Sequence, residues 1–449
     1  MTRQAIAAAA LIALTAAGNA AAEGWQTDAV ETQGSTGEYT SIAIDSEDVP
    51  HIAYYNNSEG GLKHAWLEGS SWQTEMVDGG DNVGWWASIA IDSEDNPHIS
   101  YFDYPGDGLR YAHWTGSAWS SEEVVSGEYG YDYTSIALDS GDSPHISCRF
   151  YESYGSTHLK HAWYDGGWQV ETVDDQGAVG AWSSIACDGA GNPRIAYYDE
   201  SDGDLRYAAW DGSEWQTETV DSQGNTGMWC SLALDSLDRP RISYMDYSDY
   251  DLRYAAWDGS QWQLETVNPS GYVGQYSSLA LDSQDHPHIS FWDLSGNDLE
   301  YACWDGSQWN LETVHSQYDV GNWTSIAVDG QDRPWISYEY NYYGDLYCAW
   351  YDEPQGVGQG ASGLGSFSLA RPVPNPSFGT STIGFTVSQR GSGTLAVFDA
   401  SGRLVRRRDL GVCSRGDHQI SVSGLAPGLY LYRLEVGGLG GSGRLVVVR

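Results

Sequence analysis

Lysine is almost absent from this sequence of 449 residues, which contains only Lys63 and Lys160. Acidic residues are abundant by contrast, because residues 23–364 hold 58 Asp and Glu against 10 Lys and Arg. A surface this acidic repels a phosphate backbone, so we expect no nucleic-acid partner. From residue 365 onward the balance reverses to 10 Arg against 4 acids, which predicts a domain boundary near residue 364.

Cysteine is also scarce, and the chain lacks long apolar runs after its N-terminus. The spacing of the six cysteines indicates neither a disulfide framework nor a metal site. No later stretch approaches the roughly 20 apolar residues that a membrane helix needs. Residues 1–22 combine Arg3, an apolar run and Ala20-Ala21-Ala22, which predicts a secretory signal peptide. We therefore expect an exported chain with no membrane span after cleavage.

The body of the chain lacks helical periodicity and instead repeats one unit seven times. The copies begin at serines 47 residues apart, with one spacing of 49: Ser41, Ser88, Ser135, Ser184, Ser231, Ser278 and Ser325. Each unit divides into four short strands, as in SLALD, RISYMD, LRYAAWDG and QWQLETV of the unit that starts at Ser231. Four-stranded units of this length predict an all-β fold, a seven-bladed β-propeller over residues 23–355.

The two ends of the repeat region complement each other. A lone fourth strand, WQTDAV, begins at Trp25, and the last unit stops after a third strand, LYCAWYD, at 346–352. Pairing the two completes the seventh blade and removes a sheet edge. Asp, Pro and Ile recur at fixed positions of every unit. We expect Asp, as at Asp235, to fix the turn, Pro, as at Pro240, to begin strand two, and Ile, as at Ile242, to pack in the core. The histidine column of His51, His98, His145 and His288 is interpreted as structural rather than metal-binding.

We expect ligand binding at the face where the long, variable loops emerge. Its predicted inner rim is aromatic: Tyr39, Trp86, Tyr133, Trp182, Trp229, Tyr276 and Trp323. The ends of strand two add further candidates: Tyr55, Phe102, Arg149, Tyr198 and Trp292, with Asp103, Asp199, Asp246 and Asp293 following in four blades. Met245 and Glu339 occupy the same column in the other blades. Aromatic faces beside carboxylates suit sugars, whereas the alternative is that the rim rings only plug the centre.

Two features single out particular blades. The loops DESDGDL and DYSDYDL offer calcium a set of closely spaced carboxylates: Asp199, Asp202, Asp204, Asp246, Asp249 and Asp251. No other cofactor is expected. Blade three departs from the repeat at Cys148-Arg149-Phe150, which favours one specific site between blades two and three built from Trp85, Trp86, Tyr131, Arg149, Tyr151 and Glu152. Drift in one copy of the repeat is the alternative.

The unit SIALDSxxxPHISYYD…LRYAxWDGSxW, over residues 25–352, resembles repeats of exported bacterial propellers of the sialidase-like (BNR) kind. The resemblance implies a propeller fold and carbohydrate-related chemistry. Sialidases of this kind hold the substrate carboxylate with three arginines. Arg149, Arg194 and Arg241 stand at non-equivalent positions of the repeat, so we expect no sialidase activity.

The segments LARPVPNPSFGTSTIGFTV, LAVFDASGRLVRRRDLG and GLAPGLYLYRLEVGGLGGSGRLVVVR, within residues 367–449, resemble the C-terminal sorting domain of type IX secretion cargo. This domain is related to the immunoglobulin-like module of flagellar hook-capping proteins. The resemblance implies transport by the type IX machinery and attachment or release at the cell surface. Alternating strands predict a small immunoglobulin-like β-sandwich there, and the Gly-rich residues 356–366 predict a flexible linker.

The leading interpretation is a non-catalytic, monomeric propeller that binds glycans or a surface protein at its loop face. Near-identical blades favour multivalent binding, since several copies of a modest site raise avidity. One alternative is a carbohydrate-active enzyme, a glycosidase or polysaccharide lyase, with its site at the channel mouth. The other is a structural surface protein without a specific ligand.

Overall fold

The computed structural model describes residues 24–80, 82–104, 108–126, 130–153, 156–352, 367–369, 380–387, 391–399, 403–426, 428–436 and 439–447. It comprises two compact units, which divide between Tyr351 and Asp352. The predicted signal peptide at 1–22 and the predicted linker at 356–366 lie outside the described residues. In the described part, no helix has the length and apolar character needed to cross a membrane.

The first unit consists of seven antiparallel sheets of four strands each. Blades one and two are β2 (Thr36–Ile44), β3 (Pro50–Asn56), β4 (Gly61–Glu68), β5 (Ser71–Asp78), and β6 (Val83–Ile91), β7 (Pro97–Asp103), β8 (Gly108–Trp114), β9 (Trp119–Ser126). Blades three and four are β10 (Tyr131–Leu138), β11 (Pro144–Ser153), β12 (Ser156–Tyr164), β13 (Trp168–Asp174), and β14 (Val179–Cys187), β15 (Pro193–Asp199), β16 (Asp204–Trp210), β17 (Trp215–Asp221).

Blades five and six are β18 (Thr226–Leu234), β19 (Pro240–Asp246), β20 (Asp251–Trp257), β21 (Trp262–Asn268), and β22 (Val273–Leu281), β23 (Pro287–Asp293), β24 (Asp298–Trp304), β25 (Trp309–His315). Blade seven is β26 (Asn322–Val328), β27 (Pro334–Tyr340), β28 (Asp345–Tyr351) and β1 (Trp25–Glu31).

The seven sheets form a closed ring. The first strands of successive blades adjoin all the way round, and β26 of blade seven adjoins β2 of blade one. The N-terminal β1 pairs antiparallel with β28, with Trp25 opposite Tyr351. Trp25 is 1 % exposed and its indole N–H donates to Glu312 of blade six at 2.9 Å. The predicted propeller and its closure by both ends of the repeat region are therefore confirmed.

Each invariant serine joins its blade to the next. The Oγ of Ser41 accepts a hydrogen bond from the Ile89 N–H at 3.2 Å, and Ser231 accepts one from Leu279 at 3.0 Å. The same bond recurs at every blade interface and closes between Ser325 and Ile42 at 3.2 Å. The repeated serine is thus part of the scaffold that holds neighbouring first strands together.

The invariant Asp, Pro and Ile columns have the structural roles that the sequence predicts. Asp235 Oδ1 accepts the N–H groups of Leu237 and Arg239 at 2.9 and 3.0 Å, which fixes the turn between strands one and two. Pro240 begins the second strand of its blade. Ile242 is fully buried, as are its six equivalents. The residues that recur in every blade therefore form the turns and the hydrophobic core.

The four histidines of the repeat are buried and hydrogen-bonded. His51 Nδ1 lies 3.0 Å from His64 Nε2, and His145 Nδ1 lies 2.9 Å from His161 Nε2. His98 and His288 instead contact tyrosine hydroxyls at 2.5 Å. Burial, together with the charge of the neighbouring histidine, lowers the pKa of His51 to about 4 and that of His145 to about 4. These contacts agree with a structural role.

Replacing Ser231 by alanine is expected to lower the free energy of unfolding by about 1 kcal/mol, because the Leu279 N–H loses its acceptor. All 21 tryptophans lie between Trp25 and Trp350, so tryptophan fluorescence during urea denaturation reports on the propeller alone. The exposed Ser222 provides the control, and Ser222→Ala should change stability by a few tenths of that amount. Equal losses in the two variants would contradict the inter-blade role.

The second unit is a small β-sandwich around one core. Its strands are β29 (Phe367–Leu369), β30 (Thr380–Val387), β31 (Gly391–Asp399), β32 (Leu404–Cys413), β33 (Gly416–Ser423), β34 (Gly428–Val436) and β35 (Leu439–Val447). One sheet has the order β29-β30-β33 and the other β32-β31-β34-β35. Residues from both sheets, including Ile383, Val397, Ile420 and Leu434, form a single buried cluster.

Candidate functional site

A ring of seven aromatic side chains surrounds the propeller axis. Its members are the predicted rim residues, one from each first strand: Tyr39, Trp86, Tyr133, Trp182, Trp229, Tyr276 and Trp323. Centroids of neighbouring rings lie 4.2–5.6 Å apart, and the circle closes between Trp323 and Tyr39 at 4.2 Å. All seven side chains are half-buried. The rings contact one another, as the plug alternative predicts, and keep part of their surface accessible.

The aromatic ring is held in a strained backbone conformation. All seven residues have φ between 49° and 54°, a left-handed region that costs an ordinary residue about 1–2 kcal/mol. Strand pairing shifts register at each of these positions, for instance between Met228 and Ser231. In blades two to five a side chain of the following blade donates to the strained carbonyl, as Ser277 Oγ does to Trp229 O at 2.7 Å. Repeated strain persists only where its surroundings enforce it, so this ring is rigid.

A cavity of about 200 Å³ lies on the axis against this ring. Its wall consists of the seven aromatic residues and the two residues that follow each of them, mostly Ser and Thr, with Ala87 and Cys230 as exceptions. The wall holds hydroxyls and aromatic faces but no charged side chain. Such a lining suits water or a small neutral molecule.

The strand-two candidates lie deeper than the sequence suggests. Tyr55 and Met245 are at most 1 % exposed, and Phe102, Tyr198 and Trp292 are also buried. Tyr55 and Tyr198 donate their hydroxyls to Asn82 and Asn225 at 2.9 and 2.6 Å. These side chains therefore support the loop face from below rather than cover it.

The carboxylates at the ends of strand two are engaged in ion pairs. Asp246 faces Arg253 at 3.1 Å and Asp199 faces Arg206 at 3.4 Å, and both carboxylates are almost fully buried. Asp103 pairs with Arg110 at 3.5 Å. Asp246 and Asp199 are thus neutralised within their own blades, and ligand binding by these carboxylates stays a prediction.

In blade six an acid replaces the arginine of this ion pair. Glu300 stands where blades two, four and five carry Arg110, Arg206 and Arg253, beside Asp293 and Asp298. Burial, together with the charges of the two aspartates and against a hydrogen bond from Thr313, raises the pKa of Glu300 to about 7. Asp293 lacks the arginine partner that Asp246 has.

The two acidic loops form turns of their own. Asp199 Oδ1 accepts the N–H groups of Ser201 and Asp202, and Asp246 Oδ1 accepts that of Ser248 at 2.9 Å. Burial, followed by neighbouring aspartates, raises the pKa of Asp204 and of Asp251. Among the described residues, no group of three or more His, Cys, Asp or Glu is placed to hold a metal ion. Calcium binding by the six candidate aspartates stays a prediction.

Arg149 of blade three is at the centre of a buried polar cluster. Its Nε and Nη2 donate to the two oxygens of Asp132 at 2.7 Å each, and its Nη1 donates to Glu200 of blade four at 2.9 Å. The guanidinium lies between the rings of Tyr133 and Tyr151, 4.6 and 4.7 Å from their centroids. Burial alone would lower the pKa of Arg149, but the hydrogen bonds that it donates to Asp132 and the charge of that carboxylate raise it. The arginine is thus fully neutralised, which disfavours capture of an anionic substrate.

Blade three also differs in its backbone. Six blades have a glycine two residues before the rim aromatic, with φ from 86° to 114°. A Cβ at Gly227 would lie 2.7 Å from the Cα of Leu205, so this position requires glycine. Blade three has Tyr131 instead, opposite Phe150, and lacks the first of the two register shifts that blade five has there. Asp132 lies opposite Arg149 in the same register that pairs Met228 with Met245, so the ion pair results from the two residue types. Glu152 lies apart from them and contacts His158 at 3.1 Å.

Blades one and two present an aromatic patch, defined here as Tyr39, Tyr55, Trp85, Trp86 and Tyr104. Tyr104 is 55 % exposed and stacks on half-buried Trp85, with centroids 4.9 Å apart and planes 20° apart. Trp85 also packs on Tyr39, Tyr55 and Trp86 at 5.6–5.9 Å. Trp86 connects the patch to Tyr133, which lies against Arg149. The patch and the Arg149 cluster are therefore contiguous.

Glu339 of blade seven is a residue to which sequence reasoning gave no role. It is 5 % exposed, and its carboxyl has no hydrogen-bond partner among the described residues. Burial, together with the charges of Glu38 and Asp319, raises the pKa of Glu339 to about 8. Glu339 lies opposite Asn322, the residue before Trp323, which places it near the aromatic ring. The available signal was that Glu339 is the one acid in its column.

A closed ring of four-stranded blades makes the first unit a β-propeller. Residues 373–448 match the family model described as the secretion system C-terminal sorting domain. This match indicates export by type IX secretion to the cell surface or the extracellular space. No curated protein matches the chain.

Several solved propeller structures are similar to this chain at low identity. A fucose-specific lectin from Aleuria aurantia is 14 % identical, with a TM-score of 0.46, over 64 % of this chain and 98 % of the lectin. A Hadza microbial sialidase is 11 % identical, with a TM-score of 0.47, over 66 % and 75 %. The polysaccharide lyase Uly1 is 10 % identical, with a TM-score of 0.46, over 73 % and 91 %. At these identities the likeness does not extend to function.

Proposed function

We propose that this chain is an exported, monomeric binding propeller that recognises glycans through its loop face. The observation that carries the proposal is the exposed, stacked Tyr104–Trp85 pair at the top of the aromatic patch. An exposed aromatic face beside polar groups is the surface that a sugar ring uses, because its C–H face stacks while its hydroxyls form hydrogen bonds. Glu200 of the Arg149 cluster, next to the patch, supplies an exposed carboxylate acceptor. We also propose that the repeats of this chain are related to those of sialidase-like (BNR) propellers.

A glycan array probed with the full chain tests this function. We expect a defined class of neutral or basic glycans to bind, since the acidic body disfavours anionic ones. Trp85→Ala and Tyr104→Ala should each weaken binding about tenfold, or about 1.4 kcal/mol. Leu237→Ala is the matched control, because Leu237 is exposed in a turn between strands one and two, on the opposite face. No binding to any glycan, with or without calcium, would contradict the proposal and favour a protein partner or a structural role.

Glu339 supports a second candidate, a carbohydrate-active enzyme. A carboxyl that carries its proton at neutral pH can act as a general acid on a glycosidic oxygen. This alternative predicts that the full chain releases product from a glycan that it binds on the array, and that Glu339→Gln abolishes this activity. Binding without any product supports the binding propeller instead.

A further inference from the structure

Besides the serine bonds between first strands, a ring of hydrogen bonds links the turns between strands one and two, on the face opposite the loops. We call this ring the girdle. In six blades an aspartate at the turn after strand one accepts from the turn of the preceding blade: Asp48, Asp95, Asp142, Asp238, Asp285 and Asp332. Asp95, for example, accepts from the N–H and the Oγ of Ser46 at 2.9 and 2.7 Å. Blade four has Gly191 at this position, so the girdle is interrupted between blades three and four.

A cavity of about 210 Å³ lies at this interruption, between blades three and four. Two indoles line it, Trp163 from blade three and Trp210 from blade four, and Gly191 forms part of its wall. Blades one and two carry the equivalent tryptophans, Trp66 and Trp114, but Asp95 stands where Gly191 would be. Gly191 therefore distinguishes this blade interface from its nearest counterpart.

The polar part of the wall is pre-organised. His161 Nδ1 and the Trp215 indole N–H both contact Glu171 Oε1, at 3.1 and 2.9 Å. Glu171 Oε2 has no partner among the described residues, so it can accept a hydrogen bond from a ligand. Burial raises the pKa of Glu171, but the hydrogen bonds from His161 and Trp215 hold it below its usual value. The cavity thus presents two indole side chains beside a fixed carboxylate.

We propose that this pocket binds one neutral hexose-sized sugar ring, at a site separate from the loop face. The volume suits a single ring, the indoles of Trp163 and Trp210 suit its C–H face, and Glu171 accepts from its hydroxyls. A sugar acid is excluded because its carboxylate would meet Glu171. The site is independent of the proposed function, since its residues lie on other strands and on the opposite face.

Isothermal titration of the full chain with methyl glucoside, methyl galactoside and methyl mannoside tests this site, with glucuronic acid as the anionic probe. We expect at least one neutral glycoside to bind with one site per chain in this pocket and glucuronic acid not to bind. Gly191→Asp should weaken that binding at least tenfold by restoring the girdle and narrowing the pocket. The Cβ of such a residue meets only ordinary contacts, at 3.5 Å or more, and six blades already carry Asp there, so the variant should fold.

Asp95→Gly provides the converse test, because it opens the equivalent position between blades one and two. We expect the number of bound glycosides to rise by one. Three results would each overturn the proposal: no neutral glycoside binds, Gly191→Asp binds with unchanged affinity and stoichiometry, or glucuronic acid binds as well as the neutral probes. If Tyr104→Ala no longer binds glycans on the array but still binds the glycoside in the pocket, the two sites are distinct.

Discussion

Replacing Arg149 by alanine is expected to lower the free energy of unfolding of the propeller by about 3–5 kcal/mol. The substitution removes the bidentate partner of Asp132, which is 5 % exposed, and leaves that carboxylate buried without a counter-charge. It also removes the cation that lies between Tyr133 and Tyr151. Urea denaturation followed by tryptophan fluorescence measures the loss.

The double variant Arg149→Ala/Asp132→Ala separates the ion pair from simple packing. Because the double variant has no buried unpaired charge at this position, it should recover about half or more of the lost stability. A double variant that is less stable than Arg149→Ala alone would show that the cluster is not organised around this pair.

Replacing Glu339 by glutamine is expected to stabilise the propeller at alkaline pH and to leave it unchanged in acid. Burial raises the pKa of Glu339 to about 8, above its ordinary value of 4.5. The folded state of the natural chain therefore keeps a proton that the unfolded state loses as the pH rises. Its stability is full below about pH 4.5 and declines as the pH approaches 8. At pH 9 the variant should be more stable by about 2–4 kcal/mol.

Paired urea denaturations at pH 5 and pH 9 measure this difference. Glu123 is exposed, so Glu123→Gln serves as the control for a generic change in net charge. An advantage of Glu339→Gln that is the same at both pH values would contradict a buried, protonated carboxyl. The matching functional readout is glycan binding, which in the natural chain should change between pH 7 and pH 9 if Glu339 contacts the ligand.

The scaffold follows from the sequence because each blade must satisfy the same local requirements. The turn made by Asp235 and the strand start at Pro240 can be predicted from a single unit. The other six units repeat both features, which establishes the 47-residue period. Closure is readable too, since the lone strand at Trp25 matches the missing fourth strand of blade seven. These features depend on neighbours within a blade or on simple counting of strands.

The candidate site was less predictable because it depends on side-chain contacts that the repeat pattern does not reveal. Asp246 resembles a ligand-facing acid until Arg253, seven residues later, is seen to neutralise it at 3.1 Å. The strained rim residues, such as Trp229, have no left-handed signature of their own, because bulky residues normally avoid that conformation. Glu339 is the one acid in a variable column, and Gly191 replaces the Asp that the other six blades carry; only the structure shows that Glu339 is buried and that Gly191 lines a pocket.

Hydrogen–deuterium exchange of the full chain, with and without an array-selected glycan, tests the central claim that the loop face is the binding surface. The account predicts slower exchange at residues 82–86, 102–104, 130–133 and 149–152, which contain the aromatic patch and the Arg149 cluster. Protection confined to the turns between strands one and two, such as residues 45–49 and 235–239, would contradict it, as would glycan binding that protects no part of the propeller.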